Sequence, residues 1–133
     1  MAEQLGSFME GIDLSDAKEL HTSPTGTEVQ LRIVSAELKE TEKARFIQVR
    51  LEVMGDPLHK DITHPIFLPK PDMDERRINN TKYTMKLFGE AFDINFSLPQ
   101  NFEDWRGLTA WAILKEEDND EYGLQNRVRK WAR

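Results

Sequence analysis

The chain has no cysteine, which excludes disulfides and thiolate metal sites. Histidine is nearly as scarce, with three in 133 residues. His59 and His64 have no acidic cluster at ligand spacing, so no metal site is expected. No apolar run approaches the roughly 20 residues that span a bilayer, and no membrane association is expected. The N-terminus, Met1-Ala2-Glu3-Gln4-Leu5-Gly6, lacks the basic and then apolar regions of a signal peptide. There is no Ser/His/Asp or Cys/His set, no glycine-rich phosphate loop and no histidine–carboxylate cluster. The expectation is a non-catalytic protein that needs no cofactor. The acidic groups Asp72/Asp74 and Glu116/Glu117/Asp118 read as surface turns.

Positive charge is also in short supply, and it is unevenly placed. The net charge is −6, which alone argues mildly against nucleic acid, since phosphate affinity comes from Lys and Arg. Residues 1–26, however, hold five acids (Glu3, Glu10, Asp13, Asp16, Glu19) against Lys18 alone. Residues 127–133 hold Arg127, Arg129, Lys130 and Arg133 with no acid. Charged residues make up 32% and hydrophobic residues 38% of the chain, the composition of an ordinary folded domain, and the length suits one core. Residues 1–26 show no sustained period and read as an acidic arm, with Phe8, Met9, Ile12 and Leu14 in one helical turn and Ser15 capping another. The arm ends at the Ser23-Pro24-Thr25-Gly26 turn, and residues 27–133 form the domain.

Within the domain a period of two dominates. Val29, Leu31 and Ile33 alternate with Gln30, Arg32 and Val34; after a polar turn at 39–43, Ile47, Val49, Leu51 and Val53 alternate with Phe46, Gln48, Arg50 and Glu52. This predicts a hairpin with its aliphatic face inward. Asp61 to Leu68 predicts a third strand, placed at an edge because Pro65 cannot donate to a ladder. The stripe Met85, Phe88 and Phe92, with Leu87 and Ala91, predicts a core helix beginning between Asp74 and Thr81 and ending near Asp93.

Gly107 to Trp131 predicts a last hairpin around the acidic turn Glu116–Glu121. Ala110 and Ala112 are small enough for the crowded interior of a narrow barrel. In the returning strand, straight alternation puts Leu124 and Val128 in the core and sends Arg127, Arg129 and Trp131 outward. The order β-β-β-α-β-β, mainly β with one helix between strands three and four, is that of the OB-fold, a five-stranded Greek-key barrel. A different α+β sandwich is the competing fold.

The stretch Ser23-Pro-Thr-Gly-Thr-Glu-Val-Gln-Leu-Arg-Ile-Val resembles the opening strand of small phage-encoded OB-fold proteins that bind single-stranded DNA. The segments Trp105-Arg-Gly107, Ala110-Trp-Ala112 and Glu121-Tyr-Gly-Leu-Gln-Asn-Arg-Val128 resemble their last hairpin. The first turn, Glu42-Lys43-Ala44-Arg45, departs from the pattern by lacking a glycine, and the chain closes on Arg-Lys-Trp-Ala-Arg rather than an acidic tail. The resemblance implies sequence-nonspecific binding of single-stranded DNA in phage-type replication or recombination, in the host cytoplasm. Replication or recombination proteins and further copies of the chain are the partners such a role admits. Single strands are held by cations along the backbone and by aromatic rings under the bases. The candidates on outward faces are Arg32, Phe46, Gln48, Arg50 and Phe67, then Arg127, Arg129 and Trp131. Lys39 and Lys43 in the first turn and Lys70 after strand three are candidate phosphate contacts. The alternative is a β-rich phage structural or interaction protein, such as an acidic DNA mimic that docks on a host enzyme.

Overall fold

Alternation in the second strand holds in three dimensions: Ile47, Val49 and Leu51 are all buried. The structure, a computed structural model, describes residues 10–132. In chain order its elements are strands β1 (Glu28–Glu40), β2 (Arg45–Val53) and β3 (Ile62–Phe67) and helix α1 (Glu75–Phe92). A short 3-10 helix (Phe102–Trp105) and strands β4 (Thr109–Asn119) and β5 (Gly123–Ala132) follow. The strands form one antiparallel sheet in the order β3-β2-β1-β4-β5. The architecture is mainly β, with the helix after the third strand as the element order predicts. β3 is an edge strand, which accommodates Pro65.

β1 is long enough to serve two neighbours. Glu28–Arg32 pairs with β4, and Leu31–Glu40 pairs with β2. Ile33 faces Leu51 but Ser35 faces Arg50, so Val34 is an extra residue, a β-bulge that bends and twists its strand. Its carbonyl accepts a hydrogen bond from Arg106 Nε at 3.1 Å. Bending of this kind brings the two ends of the sheet towards each other: His64 on β3 and Trp131 on β5 have ring centroids 5.2 Å apart.

The concave side is the core. Leu31, Ile33, Leu51, Ile62, Ile66 and Leu114 line it, and Ala110 and Ala112 leave room for what covers it. Phe88 and Phe92 of α1 enter from one end, their rings 4.8 Å apart, with Trp105 5.7 Å from Phe88. Burial of each large apolar side chain contributes about 1.5–3 kcal/mol. Trp105 is buried without losing its polar partner, because Nε1 donates to Gln100 Oε1 at 3.0 Å. Asp74 caps α1 by accepting from the Arg77 amide at 2.8 Å. Asp93 ends the helix in the left-handed region, φ 58°. Gly89 is required one turn earlier, since a Cβ there would lie 2.8 Å from the Ile94 carbonyl oxygen.

The arm joins the domain before residue 27. The expected turn at Phe8 and Met9 lies outside the described residues, apart from the exposed Ile12 and Leu14. Asp13, not Ser15, makes the next turn, accepting from the Ser15 amide and hydroxyl at 2.9 and 2.6 Å. His21 then pairs with the segment before β3. Its amide donates to Leu58 O at 3.0 Å, and the Lys60 amide donates to His21 O at 2.8 Å. Asn126 takes both sides of the Ser23 backbone, accepting from its amide at 2.8 Å and donating to its carbonyl at 2.9 Å. Because a carbonyl only accepts, His59 Nδ1 carries the proton donated to Lys60 O at 2.7 Å, and its Nε2 lies 2.8 Å from the Ser23 hydroxyl. Residues 21–26 thus strap the start of β3 to the start of β5.

Candidate nucleic-acid interface

The register fixes what stands on the convex face. Lys39 of β1, Phe46 of β2 and Phe67 of β3 lie opposite one another in one row across three strands. Glu37, Gln48 and Pro65 form the next row, and Ser35, Arg50 and Thr63 the third. The Phe46 and Phe67 rings are 5.4 Å apart and tilted by 46°. Phe67 is 45% exposed, and Phe46 is half-buried beneath it. An aromatic pair on a convex face, with one ring open, is a surface on which a planar group can stack.

Cations gather at the same end. The Leu68 amide donates to Arg45 O at 2.9 Å, which brings the chain leading to Lys70 beside the β1–β2 turn that carries Lys43. That turn closes without a glycine: the Thr41 amide donates to Ala44 O at 2.8 Å and the Ala44 amide to Thr41 Oγ1 at 3.1 Å. Arg45 is not part of this cation group: it faces Glu40 in the ladder, so it projects to the side opposite Phe46, where it is half-buried and its Nε has no hydrogen-bond partner among the described residues.

Several candidate cations are already matched by acids. Lys39 pairs with Glu37 at 2.7 Å, Arg50 with Asp61 at 2.7 Å, and Arg32 with Glu52. All of these pairs are partly exposed, and such pairs are worth about 0–1 kcal/mol each, so a phosphate can compete for the cation. Arg32 is placed on the β1–β4 side rather than with Phe46, opposite Glu52 and Thr109.

The last strand differs from its expected faces. Leu114 faces Val128, but Ile113 faces Lys130, so Arg129 is an unpaired bulge residue. The extra residue reverses the alternation beyond it. Trp131 comes to lie opposite Ala112, which is fully buried, and its indole packs inward on Phe92, His64 and Phe88 at 5.1, 5.2 and 5.8 Å. The expected outward set of Arg127, Arg129 and Trp131 therefore does not form. Leu124 is corrected as well, being 46% exposed, while Asn126 is the buried residue at 5%. Its amide is satisfied by the arm and by Lys115 O at 3.0 Å.

Arg127 remains outward, beside Lys115 in the ladder. Glu117 bridges them, at 2.9 Å from Lys115 Nζ and 3.4 Å from Arg127 Nε. The Lys115 hydrogen bond, with further help from Arg127, holds the Glu117 carboxyl below the usual carboxylate range. His64 sits across the seam. Burial, aided by the Arg127 charge, pushes its imidazole down to about 4, so it is neutral near pH 7. Trp111, like Tyr83 and Tyr122, is an exposed aromatic residue outside the candidates read from the sequence. It is 49% exposed on the convex face between Gln30 and Ala132; its place opposite the Ala110/Ala112 face was the available signal.

Among the described residues no group of three or more His, Asp or Glu could hold a metal ion, and no helix is long and apolar enough to cross a membrane. Neither a protein-family model nor a curated protein matches the chain.

Proposed function

We propose that the protein is a non-catalytic OB-fold module that binds single-stranded DNA without sequence specificity. Support for the barrel comes from the strand order, from the helix between β3 and β4, and from the approach of the two edge strands at His64 and Trp131. In that fold the strand 2–3 face and the loops beside it receive oligonucleotides. The observation that carries the reading is the row Lys39, Phe46 and Phe67 on that face, with Lys43 and Lys70 in the segments that meet at its end. Rings accept any base and cations any backbone, which accounts for a lack of sequence preference. The DNA path runs along β2 and β3 towards Arg127 and stays clear of the exposed acids at the β4–β5 tip. Replication or recombination of phage-type DNA is the setting that the sequence resemblance adds, with the proteins of those processes as partners.

A second reading has its own observation. Glu117, Asp118, Asp120 and Glu121 are exposed on the projecting β4–β5 hairpin, a charge pattern suited to docking on a basic protein surface as a DNA mimic. Fluorescence anisotropy with single-stranded and duplex oligonucleotides at two salt concentrations separates the two. Tighter, salt-sensitive binding of the single strand supports the first reading, and absence of binding at low salt supports the second.

A further inference from the structure

A cleft of about 540 Å³ opens between α1 and the end of β5. Its volume falls within the roughly 300–1,000 Å³ typical of small-ligand sites. Leu87 and Ala91 of the helix form one wall, and Val128, Trp131 and Ala132 of β5 form the other, with His64 of β3 also lining it. Arg129 and Lys130 complete the lining. Both are exposed, and neither has an ion pair among the described residues.

This arrangement follows from the β5 bulge. Without the extra residue, Trp131 and Arg129 would share one face. With it, the indole turns into the cleft wall while the chain carries Arg129 and Lys130 past it. An apolar slot bounded by an aromatic ring therefore stands beside two uncommitted cations. One acid, Glu90, lines the helix side. His64 stacks on Phe88 at 5.8 Å and is edge-on to Trp131 at 5.2 Å. Its Nε2 has no hydrogen-bond partner among the described residues.

We infer that this cleft is a nucleotide subsite, which takes one splayed-out base or the terminal nucleotide of a strand. The base enters between the helix wall and Trp131, and its phosphate meets Arg129 and Lys130. A nucleotide is favoured over an apolar peptide because it supplies both a flat apolar body and an anion, the two features that the lining pairs. The choice of a nucleotide rests on the DNA-binding reading, which places the strand on the neighbouring β2–β3 face. The site itself is separate from the Phe46/Phe67 row.

The test uses the full chain labelled with 15N and follows the three tryptophan indole N–H signals during titration with dTMP, thymidine and inorganic phosphate. The expected result is a saturable shift of the Trp131 signal with dTMP, weaker with thymidine, and no shift of Trp105. Ala91→Leu, which fills the cleft, should weaken dTMP binding sterically, and the pair Arg129→Ala with Lys130→Ala should weaken it by roughly tenfold or more, since a hydrogen bond to a charged group is typically worth that much. The charge pair is exposed, so its folding is checked by an unchanged melting temperature. If millimolar dTMP leaves Trp131 unmoved while a long oligonucleotide still binds, the subsite is wrong and the DNA-binding reading stands. If dTMP binds as described but no oligonucleotide does, the subsite stands and that reading fails. Equal binding by the cleft variants, or equal shifts with thymidine and dTMP, overturns the inference.

Discussion

Trp131 lies opposite Ala112 across the last hairpin, so a large indole and a fully buried methyl share the concave side of the sheet. That pairing exists because Arg129 is bulged out, and it changes what a substitution at Trp131 should do. Trp131→Ala removes packing against Phe88, Phe92 and His64. It should cost about 3 kcal/mol, the lower end of the range for aromatic truncation, because the indole is only half-buried. Thermal or denaturant unfolding checks this. A loss below about half a kcal/mol, within the scatter of surface changes, would place the indole outside the core.

Leu51→Ala should cost about 2–5 kcal/mol, because Leu51 is fully buried in the middle of β2. Denaturant unfolding of this variant tests whether the concave side of β2 has been assigned correctly.

Phe67→Ala should behave in the opposite way to Trp131→Ala. Its ring is nearly half exposed, so the melting temperature should hardly move. Affinity for single-stranded DNA should fall by about 1–3 kcal/mol, the effect of losing one stacking ring. A drop in melting temperature with unchanged affinity would make Phe67 a packing residue for Phe46 and nothing more.

Asn126→Ala should loosen the arm. The Ser23 amide and carbonyl lose their partners, at a cost of about 1–3 kcal/mol for groups left unsatisfied. Limited proteolysis should cut between residues 10 and 26 faster than in the parent chain, and equal cutting rates would contradict the strap.

His64 predicts a specific acid sensitivity. Its folded value of about 4 lies below the ordinary 6.5, so on acidification the unfolded chain takes up this proton first. The stability linked to neutral His64 is complete above pH 6.5 and is lost as pH falls from there towards 4. His64→Phe keeps the stack on Phe88 and removes the titration. Its stability should decline less steeply than that of the parent over this window, and parallel curves would rule the assignment out.

Much of the fold was legible because β2 and α1 are amphipathic in the simplest sense: every second residue of one, and the Phe88/Phe92 stripe of the other, is aliphatic or aromatic. The bulges were not legible. Val34 and Arg129 are ordinary strand residues, and a period of two assumes that none is extra, so the faces beyond Arg129 came out reversed. Asn126 was hidden for another reason: its burial depends on a partner, Ser23, 103 positions away. The facing of the Phe46 row was read correctly because no bulge lies between Phe46 and Leu51, whereas Trp131 was read as outward and packs inward.

The central claim is tested most directly by anisotropy of a labelled single strand of about thirty bases, long enough to cover more than one site, titrated at low and at moderate salt. The account predicts binding that is tighter than to the matched duplex and that weakens steeply with salt as counterions are released from neutralised phosphates. No binding at low salt, or binding to duplex as tight as to the single strand, would contradict it.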